Sequence, residues 1–132
     1  MIGLDTTVLL RYFADDDPAQ SRTAARLIDR TLGPEAPGHV SLISLAELVW
    51  VLRSSYAADR AEVAAVVTQL LVGPQFVVQE SEAVWIAVDT FEQTGVDFSD
   101  ALIAALDRRS GCDHTVSFDR RATKIPGIVM LN

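Results

Sequence analysis

Lysine is almost missing from this chain: Lys124 is the only one among 132 residues, beside ten arginines, two histidines and a single cysteine. The lone Cys112 excludes an internal disulfide and a cysteine-rich zinc site, and it fits a reducing compartment. Long hydrophobic runs are missing too. The longest charge-free stretch, residues 63–79, is broken by Gly73-Pro74, whereas crossing a bilayer takes about 20 consecutive apolar residues. The N-terminal MIGLDTTVLLRYF carries Asp5 inside its apolar run and no basic residue ahead of it. It therefore lacks the layout of a secretory signal, and a cytoplasmic location with no membrane contact is expected.

Positive charge is also short. Eleven Lys and Arg against 18 Asp and Glu leave a net charge of −7 and a pI of about 4.6. That balance excludes broad electrostatic binding to nucleic acid or anionic lipid, so any such contact has to be local. Apolar residues at 49% and charged residues at 22% are those of a soluble globular chain, and 132 residues suit one domain with one core. What is abundant is aspartate, with 12 Asp against 6 Glu. Asp is the poorer helix former, so the excess belongs at caps, turns or metal ions.

Helices and short apolar strands alternate along the chain. A strand at residues 1–4 ends in Asp5-Thr6-Thr7, and VLLRYF then opens a helical pattern. Asp17-Pro18 starts a second helix that runs through Thr31 to Gly33-Pro34. An extended piece near residues 39–41 precedes a helix over SLAELVWVLRSSY. Asp59 and Glu62 form a capping box ahead of Val63, Val66, Val67, Leu70 and Leu71. FVVQ at 76–79 is a buried strand, Ser81 caps the next helix and Gly95 closes it. Asp97-Phe98-Ser99-Asp100 leads into ALIAALDRRSG, HTVSF at 114–118 is a strand followed by Asp119, and residues 127–131 form the last strand. Apolar rather than alternating strands, separated by helices, predict an α/β fold with a mostly parallel sheet covered on both faces.

Ligands of open parallel sheets bind beyond the carboxyl ends of the strands, where Asp5 and Asp119 fall. Each of these also suits a helix cap, and the two roles are compatible. Glu47 stands alone among the apolar residues of LAELVWVL, which predicts that it is buried or lines a cleft; the other explanation is a capping box with Ser44. Asp97 and Asp100 flank a helix start, where capping explains one of them cheaply but not both. Asp5, Glu47, Asp100 and Asp119 are therefore candidates for one pocket. Ionised carboxylates about 4 Å apart repel by about 4 kcal/mol per pair at an effective dielectric near 20, and Lys124 is the one lysine available to offset them. A divalent cation is the simplest counter-charge, and an all-oxygen set suits Mg2+ or Mn2+ rather than Zn2+.

The segments LDTTVLLRYF, SLAELVWVLR, DFSDALIAA at 97–105 and GCDHTVSFDRRATKIPGIVML occur in an order and at a spacing that resemble the PIN-domain ribonucleases, and within them the VapC-type toxins of toxin–antitoxin pairs. The resemblance covers nearly the whole chain. It implies a single PIN domain over residues 1–132 with a three-layer α/β/α fold and a mostly parallel central sheet. It also implies an acidic pocket of Asp5, Glu47, Asp100 and Asp119, with Asp97 as accessory acid, holding Mg2+ or Mn2+. The implied activity is endoribonucleolytic hydrolysis of structured RNA such as tRNA or rRNA, by a homodimer that a cognate antitoxin inhibits. Two positions depart from the commonest pattern: Thr7 stands where such toxins usually carry Asn, and Ser117 where Thr is usual. Thr7 cannot offer the paired donor and acceptor of Asn.

Two basic groups are placed to meet phosphates: Arg22, Arg26 and Arg30 at four-residue spacing, and Arg108, Arg109, Arg120, Arg121 and Lys124 toward the C-terminus. Alternatively, both are solvated faces that pair with neighbours such as Asp29 and Asp107. Only His39 and His114 exist, and His114 falls in a predicted strand, so a metal-free ribonuclease built on paired histidines is not expected. Two further readings compete. One is an Asp-nucleophile phosphatase or phosphoacceptor receiver domain, although Asp5-Thr6-Thr7 lacks the second Asp of the phosphatase motif and Lys124 would be its sole phosphate-binding cation. The other is a catalytically inactive antitoxin-binding protein using Leu45, Leu48, Val49, Trp50 and Leu52, against which the intact acids weigh.

Overall fold

A computed structural model describes all residues, Met1–Asn132. The chain packs into two compact units, Met1–Gln79 and Glu80–Asn132. The first contains strand β1 (Ile2–Gly3), helices α1 (Thr6–Ala14) and α2 (Pro18–Arg26), a π-helical turn over Leu27–Thr31, strand β2 (Gly38–Val40), helices α3 (Leu42–Ser55) and α4 (Arg60–Val72), and strand β3 (Phe76–Val78). Its sheet has the order β1-β2-β3. Both pairings are parallel, with Ile2 opposite Gly38 and Gly38 opposite Phe76. Parallel neighbours need a crossover, and each crossover here uses two helices.

The strands are short because caps terminate them. Asp5 takes an extended backbone (φ −72°, ψ 157°) and starts α1 at Thr6. Ser41 does the same for α3, its Oγ accepting from Ser44 N at 3.1 Å. The α3 helix thus begins ahead of Ser44, and the Ser44–Glu47 capping box does not form. The other two predicted starts stand: Asp17 caps α2 with Pro18 in the first turn, and Asp59 and Glu62 cap α4 reciprocally at 2.8 and 3.1 Å. Where the sequence predicts a single helix to Thr31, the last turn widens, and Leu32 N donates to Leu27 O at 2.9 Å.

The core of this unit is built from Leu9, Ile28, Val40, Leu45, Leu48, Val63, Val67 and Leu70, all essentially inaccessible. Burying a side chain of this size stabilises by about 1.5–3 kcal/mol. Leu45, Leu48, Val49 and Leu52 are therefore core, and of the apolar surface imagined for a binding-only protein just Trp50 is exposed. At the edge of the unit, Arg11 Nη1 meets Asp16 Oδ1 at 2.9 Å and Tyr56 Oη donates to the other oxygen of Asp16, tying the α1–α2 loop to the end of α3.

The second unit contains α5 (Ser81–Thr94), α6 (Phe98–Arg109), β4 (Thr115–Ser117), a 3-10 turn over Arg121–Lys124 and β5 (Ile128–Met130). The two strands pair in parallel, with Thr115 opposite Ile128. Alanines 83, 87, 101 and 105 are buried where α5 and α6 pack; Phe91 and Phe98 meet edge to face with centroids 6.0 Å apart. Glu80 rather than Ser81 holds the N-cap position of α5, in the left-handed region at φ 50° and with no side-chain cap bond. Every strand pairing is parallel and strands alternate with helices, so the α/β class is the one the sequence predicts. No helix is long and apolar enough to cross a membrane.

Gly38 is buried at the start of β2, and a Cβ there would stand 2.7 Å from Leu4 Cδ1 and 2.9 Å from Leu4 Cγ and Leu32 Cδ1. Gly38→Ala is expected to destabilise the fold by about 1–3 kcal/mol, read as a lower urea midpoint. An unchanged midpoint would show that Leu4 and Leu32 yield freely.

Candidate metal centre

In the first unit, Asp5 lies two residues beyond the carboxyl end of β1. Its Oδ2 accepts from Thr7 Oγ1 at 2.9 Å and, more weakly, from Thr7 N at 3.5 Å. The Thr7 hydroxyl, then the Thr7 backbone N–H, hold the Asp5 carboxyl below the usual carboxylate range, against a small opposing effect of burial. Thr7, the first departure from the usual pattern, therefore holds Asp5 through its hydroxyl and its backbone N–H. Glu47, on α3, accepts at Oε1 from Thr6 Oγ1 at 3.0 Å. Adjacent threonines thus each fix one acid, which places Asp5 and Glu47 in one local arrangement. Of the two expectations for Glu47, buried or lining a cleft, burial is corrected: it is exposed on α3, beside the exposed Ile43 and Trp50 one turn away on either side. Its isolation among apolar residues reflects an outward face that is itself apolar, not burial.

In the second unit, Asp97 caps α6, its Oδ1 accepting from Ser99 N at 3.3 Å. Asp119 lies two residues beyond the end of β4. Its backbone N–H donates to Ser117 Oγ at 3.0 Å, and its Oδ1 accepts from Arg121 N at 2.9 Å. Ser117, the second departure from the usual pattern, therefore orders the turn that carries Asp119. Asp100 occupies the first turn of α6 and differs from the others. Burial first, then the charges of Asp97 and Asp119, push its carboxyl above the usual range. The α6 dipole favours negative charge there by only about 0.3–1 kcal/mol. Capping thus accounts for Asp97, while Asp100 gains no more than this small stabilisation from the helix start.

No three His, Cys, Asp or Glu side chains stand close enough to form a ready-made metal cage. Mg2+ does not require one, since it is commonly held by one or two carboxylates and keeps several waters. Asp100 and the two carboxylates whose charges oppose its ionisation, Asp97 and Asp119, are hard oxygen donors, and this donor set fits Mg2+ or Mn2+. His114 is exposed just outside β4, while His39 is half-buried within β2.

The acids suggested as partners for the arginines are engaged elsewhere. Asp29 Oδ1 accepts from Tyr12 Oη at 2.5 Å, and burial followed by Asp29 pushes the Tyr12 hydroxyl up to about 12. Asp107 Oδ2 accepts from Thr115 Oγ1 at 2.7 Å. Of the C-terminal cations Arg109 alone is ion-paired, with Glu82 at 2.7 Å and Glu80 at 3.8 Å. Sequence reasoning missed Thr6, whose contact with Glu47 spans 41 residues and leaves no local pattern.

With this geometry in view, the chain belongs to the PIN domain family, which matches residues 2–128 and so covers both units. Members of this family are typically Mg2+-dependent nucleases, and nuclease chemistry is what the match assigns to the chain. No curated protein matches it.

The raised Asp100 carboxyl carries a stability consequence. A folded-state pKa above the unfolded one favours folding at low pH, and that contribution is lost as pH rises through the raised value. Without divalent metal, Asp100→Asn is therefore expected to raise Tm at pH 7 and to leave it unchanged near pH 3. A lower Tm at pH 7 would contradict the electrostatics assigned to this group.

Proposed function

We propose that this chain is an Mg2+- or Mn2+-dependent endoribonuclease that hydrolyses phosphodiester bonds in structured RNA, tRNA or rRNA. We further propose that it acts as the toxin of a toxin–antitoxin pair, in the cytoplasm, as a homodimer restrained by a cognate antitoxin. The observation that carries the nuclease reading is Asp100, a carboxylate held against burial and against the charges of Asp97 and Asp119 in a chain of the PIN domain family. The toxin reading rests on the resemblance of the DTT, LAELVWVL, DFSDALIAA and SFDRR segments to VapC-type toxins.

Asp5, Glu47, Asp100 and Asp119 are the residues proposed to hold the metal and serve catalysis, with Asp97 as accessory acid. A divalent ion would supply a Lewis acid for the phosphate and a bound water of lowered pKa. The protein's part is positioning. Thr7 fixes Asp5, Thr6 fixes Glu47, and the Arg121 N–H fixes Asp119. Asp100, with no hydrogen bond to hold it, supplies the charge with the most to gain from a cation.

Purified chain incubated with total tRNA and rRNA is expected to cut at defined sites with Mg2+ or Mn2+, and to stop with excess EDTA. Asp100→Asn is expected to lower the rate by at least about 100-fold, the scale of a lost electrostatic partner of the transition state. Cutting that survives EDTA, or Asp100→Asn acting at the wild-type rate, would overturn the metal mechanism. Expression of the chain should arrest growth, and co-expression of the reading frame beside its own should relieve the arrest. Growth unaffected by a chain that cleaves RNA in vitro would remove the toxin role and keep the nuclease.

A further inference from the structure

Phe118 is the most exposed large apolar side chain of the protein, with 77% of its surface open to solvent. An aromatic ring ordinarily contributes through burial, so a ring displayed on an ordered turn calls for an explanation. The turn is ordered on both sides. Asp119 N–H donates to Ser117 Oγ at 3.0 Å, and Arg121 N–H donates to Asp119 Oδ1 at 2.9 Å. Phe118 lies between these anchors, immediately after β4.

The residues that follow are equally ordered. The 3-10 turn over Arg121–Lys124 repeats every three residues, so residues three apart share a side. Ala122 and Ile125 face inward and are buried. Arg121 and Lys124 share another side and are exposed, and Arg120, also exposed, precedes them. None of these three cations has an ion-pair partner, in contrast with Arg109, which meets Glu82 and Glu80. In a chain of net charge −7, the segment 118–125 carries one acid and three cations, a local charge of +2. Exposed ring, carboxylate and unpaired cations therefore succeed one another along one short turn.

We propose that Phe118 is a stacking platform for an unpaired base of the RNA, and that Arg120, Arg121 and Lys124 take the phosphates beside it. This inference rests on the RNA-cleaving reading and adds to it the side chains that grip the substrate beside Asp119. A base inside a duplex is already stacked on both faces, so only an unpaired base can offer a face to the ring. Stacking on an aromatic side chain tolerates any base, and the cations supply backbone contacts within the same short turn. Asp119 lies between ring and cations in sequence, which puts the stacked nucleotide next to the phosphate that the acids would address.

The test is fluorescence anisotropy with a labelled 12-nucleotide single-stranded RNA of mixed sequence and its blunt duplex. It is run with Mg2+ in an Asp100→Asn background, so that cleavage does not consume the probe. The single strand is expected to bind at least tenfold more tightly than the duplex. Adding Phe118→Ala or Phe118→Leu should weaken single-strand binding roughly 5- to 100-fold, and Phe118→Trp should restore it. Arg120→Gln, Arg121→Gln and Lys124→Gln together should reduce the salt slope by about 2, from about 0.7 per lost phosphate contact on a single strand. Equal or stronger binding of the duplex, no binding of the single strand, or Phe118→Leu binding like Phe118→Trp would overturn the proposal. So would Phe118→Ala that keeps RNA affinity but shifts the sedimentation coefficient, which would assign the ring to a contact between copies of the chain. Wild-type cleavage is scored separately: Phe118-dependent binding by a chain that cuts nothing would sink the nuclease reading and leave the stacking platform standing.

Discussion

Burial of the Asp100 carboxyl beside two like charges is the constraint that gives the rest of the second unit its sense. Asp97 and Asp119 both disfavour the ionised form of Asp100, and burial disfavours it more. Neither neighbour is free to swing away. Asp97 is tied to Ser99 N–H and Asp119 to Arg121 N–H, each through a donor two residues along the chain. The fold therefore holds the unfavourable arrangement in place instead of relaxing it. A carboxyl that burial and neighbouring like charges both hold toward its neutral form is an expected mark of a functional site.

The same local device recurs in the first unit, where Asp5 is tied to Thr7, again two residues on. Aspartate is short enough to accept from its own chain at this spacing and to start a helix by doing so. This is how a chain with twice as many Asp as Glu sets rigid acids beyond the ends of parallel strands without a polar core. At Asp5, Asp97 and Asp119 a backbone N–H fixes one carboxylate oxygen and leaves the other available. Glu47, on a longer side chain and within a helix, is fixed instead by the hydroxyl of Thr6.

What was legible in the sequence follows from this. Caps that act through residues two or three apart could be read directly, as at Asp17-Pro18, at Asp59 with Glu62, and at Gly95, which closes α5 at φ 72°. The parallel α/β pattern was legible from strands without alternation. Less accessible was anything decided over distance. Glu47 looked buried because its helical neighbours are apolar, yet Ile43 and Trp50 are exposed with it. Ser41 displaced Ser44 as cap because both offer a hydroxyl and only the strand's end chooses between them. Glu80 entered the left-handed region ahead of Ser81, which no propensity favours. The arginines lost their expected acid partners to Tyr12 and Thr115, contacts that no spacing rule announces.

The central claim is that the carboxylates around Asp100 are an incomplete site that a hard divalent cation completes. Titration calorimetry of Mn2+ into the purified chain near pH 7 tests it directly, with no RNA and no assumption about the substrate. The account predicts saturable binding that Asp100→Asn weakens at least tenfold, with Asp119→Asn weakening it as well. Absence of saturable binding, or an Asp100→Asn chain that binds Mn2+ as tightly as the wild type, would contradict it.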